Sequence, residues 1–400
     1  MFPVSISPVV VSIVTRSDYT TGSASITTAK PQSSSWDAIV IGAGPAGSIT
    51  ARELARSGCR VLLVDKASFP RTKVCGCCLN EMAVEMLKRL GLGHLLAEAS
   101  PLNRIVLSAS HRTAHVTLPG GVALSREVFD ARLVEEAVKA GVVFRPGILA
   151  KMGAGLPHER GVDLNGETEF ARVIIVATGL ANGDALPEAG SRIGAGIMLP
   201  VESEYGLFVP GKIYMATGRH GYVGLVRVED DRLDVAAAFD SGFIKSCGGL
   251  GQAAESILEG VGWPVPAGLL DAPWKGTPAL TRRAVHISAH RLFAVGDAAG
   301  YIEPFTGEGM AWAILSASLL TPLAVRAINS WDDEFADEWK SIHDRVLGPR
   351  QRRCRMVAKL LRFSLFRNVA IGALSLFPNL GRPVVASFNY FRHLPQPTSA

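Results

Sequence analysis

Apolar and polar positions follow two different periods along this chain, and each change of period marks an element. A short apolar run, Ala38 to Ile41, leads into glycines, then into a helical spacing of apolar positions through Leu54 that stops at Gly58. A second apolar run, Val61 to Val64, follows and is closed by Asp65. This reads as strand, tight turn, helix, strand. The same alternation over 124–149, and the unbroken apolar stretch from Arg172 to Gly179, predict more strands of a parallel sheet buried on both faces. Leu292 to Val295 is a short buried strand that must rejoin that sheet. Between these pieces, Ile213–Met215, Gly221–Val228 and Leu233–Phe239 predict an antiparallel meander with turns at Arg219-His220 and Asp230-Asp231. A short helix is expected at 251–260 and a long apolar one at 310–328.

The C-terminal pattern differs. After a polar stretch, Ser330 to Asp337, the segment Arg350–Arg367 holds no acid. On a helix, Arg352, Arg355, Lys359 and Arg362 share one face, with Val357, Leu360 and Leu361 beside them. That is a basic amphipathic helix. Two uses stay open: packing its apolar stripe on the domain, or contact with a membrane surface through 350–378.

Composition narrows the classes. The chain has 400 residues, 48% of them hydrophobic, with a net charge of +5. So modest a charge argues against a nucleic-acid binder, and no nucleic-acid motif is present. No run of eighteen unbroken apolar residues predicts a membrane span. The six cysteines, three of them in the run CGCC, form no secreted disulfide framework and fit a reducing cytoplasm. C-x-C-C is too tight for a four-ligand zinc site, so no metal is expected. Residues 1–35 are Ser- and Thr-rich and poor in charge, and read as a disordered tail or a targeting segment.

Gly42, Gly44 and Gly47 give G-x-G-x-x-G between the first strand and its helix, with Asp65 at the end of the next strand. Gly42 allows the turn, Gly44 lets a pyrophosphate approach the backbone, and Gly47 lets the helix pack on the sheet. The helix N-terminus supplies free N–H groups for phosphate, and Asp65 can accept from a ribose hydroxyl. This context marks a dinucleotide site without choosing between NAD and FAD. GLGQAA, Gly249 to Ala254, has the same spelling but follows no clear strand, and reads as a loop and helix start.

A second segment, RLFAVGDAAGYIEPFTGEGM from Arg291 to Met310, decides the choice. It resembles the flavin-binding segment of the class A flavin monooxygenase superfamily, most of all its geranylgeranyl-reductase branch, whose members read like GDAAGFxxPxTGEGI. The resemblance implies FAD. It places Gly296 and Asp297 at the flavin ribityl chain, and Gly307 and Gly309 at the isoalloxazine. LSREVFDARLVEEAV resembles the family's R-x-x-F-D-x-x-L helix, which makes Arg126 a cofactor contact. FPRTKVCGCCLN resembles the reductase loop along the flavin: Lys73, Cys75 and Gly76 match it, Lys73 as a cofactor contact and Cys75 as a candidate catalytic residue. Tyr222 falls where the family's substrate-side sheet begins and is the second catalytic candidate. The implied fold is α/β, with a discontinuous Rossmann-type FAD domain (36–182 and 276–335) around a parallel sheet. An antiparallel substrate domain of the p-hydroxybenzoate-hydroxylase kind (183–275, with part of 100–120) and a C-terminal helical segment (336–400) complete it.

The reaction stays open among three classes. One is a reductase, in which NAD(P)H reduces the flavin and hydride passes to a small apolar unsaturated substrate. The second is a monooxygenase acting on an aromatic or polyketide ring. The third is a flavoprotein redox partner without catalysis. The chain lacks the prenyl-reductase pattern P-x-x-Y-x-W-x-F-P and the halogenase W-x-W-x-I-P, and its Gly179–Asn182 replaces the A-D-G of NADPH-using hydroxylases. The pattern does not fix an oligomeric state.

Overall fold

The computed structural model of the chain describes residues 35–181, 185–201, 208–303, 305 and 307–388. The N-terminal tail, apart from Ser35, lies outside them, as does Asn182. The architecture is mixed α/β, built on two large sheets. In the first, the strand order is Ser288–Ala289, Leu292–Ala294, Glu167–Val176, Trp36–Ile41, Val61–Asp65, Val143–Pro146. The four pairings from Leu292–Ala294 to Val143–Pro146 are parallel. Because side chains alternate along a strand, Ala38 and Val40 face one layer while Ile39 and Ile41 face the other. Helices Pro45–Arg56, Arg126–Lys139 and Gly309–Asn329 fill the first layer. A meander of Ala150–Gly155 and Arg160–Leu164, paired to the start of Glu167–Val176, covers the second.

The second sheet roofs the edge of the first. Its order is Lys275–Ala279, Ile193–Pro200, Arg232–Phe239, Gly221–Arg227, Lys212–Thr217, Arg104–Ala109, Arg112–Thr117. The meander read from the sequence is its centre, and Asp230 and Asp231 turn it with φ of 56° and 51°, left-handed values that short polar side chains tolerate. Residues 104–117 join through a parallel pairing to Lys212–Thr217. One boundary moves. The strand Lys275–Ala279, most of which fell in the cofactor half in the sequence reading, pairs with Ile193–Pro200 in the roof. Its alternation is too short and polar to show that without the partner strand.

Helix Gly309–Asn329, which has no unbroken apolar run of eighteen, is long and apolar enough by length and composition alone to cross a bilayer, because Ser and Thr dilute its apolar residues without charge. Most of it is buried in the protein, as a core helix is. The C-terminal segment also departs from the single basic helix. It forms helices Gly348–Arg362 and Ser364–Leu376, broken at Phe363, and then Gly381–Phe388. Arg355 pairs with Glu188 at 2.7 Å. Arg362 donates to the Gly190 carbonyl at 2.7 Å and faces Glu303 at 3.4 Å. Half of the supposed solvent face is therefore spent on internal anchors.

Trp339, on the preceding helix Glu334–Val346, is fully buried against the first sheet and donates its indole N–H to the Ala294 carbonyl at 3.0 Å. Trp339→Ala should lower the unfolding free energy by about 3–5 kcal/mol through the cavity it leaves. Urea titration of the flavin-loaded protein measures this, and a loss below about 1 kcal/mol would show that the helix is only loosely docked.

Candidate active site

The two glycine-rich segments meet where three parallel strands end. Gly44 is the N-cap of helix Pro45–Arg56, and no side chain caps it. A Cβ on Gly47 would sit 1.8 Å from the Gly42 carbonyl oxygen, so only glycine lets the helix start this close to the turn. A Cβ on Gly296 would sit 2.9 Å from the Cβ of Ala46, on the same helix. The first motif and the last are thus in direct contact, and a cavity of about 1720 Å³ opens over them. Single small-molecule sites span roughly 300–1,000 Å³, so this one has room for more than one ligand. Gly42, Gly44, Asp65, Lys73, Cys75, Arg126, Tyr222, Gly296, Asp297, Gly307 and Gly309 all line it. Gly47 does not; it is buried behind the turn.

The floor is cationic. A Cβ at Gly44 would have the guanidinium Nη2 atoms of both Arg126 and Arg71 at 3.6 Å, so two cations converge above a bare helix N-terminus. Ser125 caps helix Arg126–Lys139 and thereby aims Arg126 inward. Arg126 is held by two 2.7 Å bonds to Asp130, in bidentate geometry. Arg71 lies 3.3 Å from Asp130 and 3.6 Å from Asp65. Asp65 accepts from the Ala43 N–H at 2.8 Å and the Ala67 N–H at 2.9 Å, so it first braces the loop, with lone pairs left for a hydroxyl. Burial, then Arg126 and Arg71, lower the pKa of the Lys73 ammonium. Burial raises that of the Asp297 carboxyl, against Lys73 and Arg126. Arg71 Nε and Thr178 Oγ1 are among the buried polar atoms with no partner among the described residues, and both residues line the cavity. Converging cations, an uncapped helix start and orphaned donors fit a diphosphate and its sugar, so the residues present suit FAD.

The far wall carries titratable groups. A hydrogen bond with Cys77 and the charge of Arg126 outweigh burial and hold the Cys75 thiol at about 6. Cys77 is buried and faces the Cys75 carbonyl at 3.7 Å. Tyr222 is buried in the roof, edge-on to Phe305 at 5.1 Å, and burial pushes its phenol well up. Sequence reasoning missed Asp130, Asp234 and Tyr301. Asp234 lines the cavity from strand Arg232–Phe239, its Oδ2 has no partner among the described residues, and burial holds its carboxyl well above the ordinary range. Tyr301, likewise raised by burial, sits beside Gly309. Asp130 was visible in the R-x-x-F-D spacing, four residues after Arg126.

The comparisons agree with this geometry. The family described as FAD binding domain matches residues 35–147. Digeranylgeranylglycerophospholipid reductase 1 of Methanopyrus kandleri is 28% identical over 78% of this chain and 85% of its own length. Menaquinone reductase of Mycobacterium tuberculosis is 27% identical over 82% of this chain and 85% of its own. The chain carries an FAD-binding domain and is an FAD-dependent oxidoreductase, similar along most of its length to these two reductases. Among solved structures, a flavoprotein/dehydrogenase from Cytophaga hutchinsonii superposes with a TM-score of 0.72 at 16% identity, covering 89% of this chain and 93% of that one. A myxobacterial chondrochloren halogenase gives 0.69 at 19%, covering 90% and 91%. At such identities these two likenesses show the fold of this flavoprotein and no more.

Two outcomes test the site. Asp297→Ala should lose bound FAD at least about tenfold while the apoprotein stays folded, since a charged hydrogen bond contributes about 1.5–3 kcal/mol; unchanged flavin absorbance would remove Asp297 from the cofactor contacts. Alkylation of Cys75, followed by mass spectrometry, should rise with pH through about 6, because a lowered pKa leaves the thiolate present above it. In Cys77→Ala the midpoint should climb toward ~8.5. A wild-type midpoint already above ~8 would show that the thiol is not activated.

Proposed function

We propose that this flavoprotein is a reductase, with NAD(P)H as electron donor and an unsaturated polyprenyl chain or quinone-like lipid as substrate. The observation that carries the reading is the shape of the cavity. From the cationic floor it continues between the roof sheet, at Ile105, Leu107 and Met215, and the C-terminal helices, at Leu361, Ile371 and Leu374, an apolar extension suited to a long hydrocarbon. The names of the two reductase relatives support it. FAD, when bound, supplies two-electron hydride chemistry.

The chain's own groups do the rest. Arg71 and Arg126 bind the diphosphate, and Asp297 takes the sugar-alcohol chain. The apolar walls keep water from the reacting carbon. A reduced double bond also needs a proton. Cys75, ionised at neutral pH, is poorly suited to give one. Asp234, whose carboxyl burial holds well above the ordinary range, shares the cavity, which makes it the better donor, with Tyr222 second. After burial, the charge of Cys75 is the next cause that raises the Asp234 carboxyl.

Anaerobic half-reactions separate the steps. NAD(P)H should reduce the enzyme, and a polyprenyl quinone or lipid should then reoxidise it. Asp234→Asn should slow reoxidation by roughly 10²–10⁴-fold and leave flavin reduction near wild type. Reoxidation only by O₂, with an oxygen atom appearing in an added aromatic, would replace the reductase reading with the monooxygenase one.

A further inference from the structure

We propose that the C-terminal helix pair is the docking face through which this enzyme draws its substrate directly from an anionic lipid bilayer. Helices Ser364–Leu376 and Pro378–Ser387 meet at a bend of 119° and together are as apolar as a membrane segment. At ~1.5 Å per residue, the 13 residues of the first reach about 20 Å, short of the ~30 Å hydrocarbon core. The pair therefore suits lying in the interface better than crossing it. Its outer side is apolar and bare: Leu365 is 77% and Leu376 75% exposed, with Phe363, Val369 and Phe377 also well exposed. Soluble surfaces rarely leave such a cluster uncovered.

Three observations choose a bilayer as the occupant. First, the patch and the cavity share residues. Phe366 and Val384, one on each helix, are 44% and 50% exposed and also line the cavity. The apolar passage thus opens between the helices, and Ile371 and Leu374 continue it inward to Leu107 and Met215. A hydrocarbon chain entering there never meets water. Second, the charge is complementary: the sequence from 348 to 388 has no Asp or Glu, and Arg352, Lys359 and Arg382 are exposed. Third, the helices have a firm base. Arg367 is buried and donates to the Gly218 carbonyl at 3.1 Å, and buried Glu303 pairs with buried Arg192 and with half-buried Arg362, tying helix Gly348–Arg362 to the roof. The exposed side is held outward by the fold. The identity of the cargo rests on the reductase reading; vesicle binding can be read without turnover.

The test is flotation of the flavin-loaded full chain with phosphatidylcholine vesicles, with and without about one quarter phosphatidylglycerol. The wild type should float with the anionic vesicles at low salt and at least about tenfold more weakly at high salt. Leu365→Glu/Leu376→Glu, neither residue lining the cavity, should weaken vesicle binding by about tenfold or more. It should also slow reduction of vesicle-borne substrate to match, while keeping FAD and the rate on detergent-dispersed substrate. Wild type that stays with the buffer, or a double variant that floats equally well, overturns the proposal. So does sedimentation showing a wild-type dimer that the double variant splits, since the face would then belong to a second copy. Flotation without turnover of any polyprenyl lipid would support the docking face and count against the reductase reading alone.

Discussion

Everything in this molecule depends on a backbone contact that admits no side chain. Three parallel strands end at one point, and the first helix begins there so close to the preceding turn that the Cβ of any residue other than glycine at 47 would overlap a carbonyl oxygen. Gly296 repeats the condition from the other end of the chain, against the same helix. The result is an uncapped helix start facing open space, and that space is the cofactor cavity. Loosening the contact would move the floor of the site, whatever the side chains around it.

The parts of the fold that obey a local rule were readable in the sequence. The glycine turn, the apolar strands of the first sheet and the meander of the roof each follow a period of their own. What hid was set by partners far away in sequence. Lys275–Ala279 is a strand only because Ile193–Pro200 lies beside it. Arg355 and Arg362 looked like solvent-facing charges because Glu188, Gly190 and Glu303, which engage them, come from other segments. Asp234 was passed over for a related reason: a carboxylate in a strand normally faces water, and nothing in RLDVAAAF shows that this face is roofed. Cys75 was noticed from a family-like spelling; its thiol is lowered first by the hydrogen bond with neighbouring Cys77 and then by Arg126, which only the fold brings to it.

The cavity has two chemical ends. Near the glycine turn, Arg71, Lys73 and Arg126 gather with Asp65, Asp130 and Asp297, and polar atoms lack partners. Toward the C-terminal helices the lining is hydrocarbon. Between them sit Cys75, Asp234 and Tyr222: burial raises all three, and only Cys75 is brought down against it, by its hydrogen bond with Cys77 and the charge of Arg126. Neighbouring acids pushed apart in this way are how a site keeps a charge and a proton side by side at one pH.

The parallel sheet has a further consequence, in the order of synthesis. Strand Glu167–Val176 pairs with Leu292–Ala294, and five of the seven roof strands are threaded between the two. The N-terminal strands leave the ribosome well before the edge that completes them. Until residues 292–310 emerge, the glycine turn has no Gly296 against it, and the apolar ends of Trp36–Ile41 and Glu167–Val176 lack their cover. Pairings so distant in sequence form slowly and leave strand edges open meanwhile. The cofactor floor is therefore complete only when both ends of the chain have come together, and its assembly depends on contacts as far apart in the sequence as that between Ala46 and Gly296.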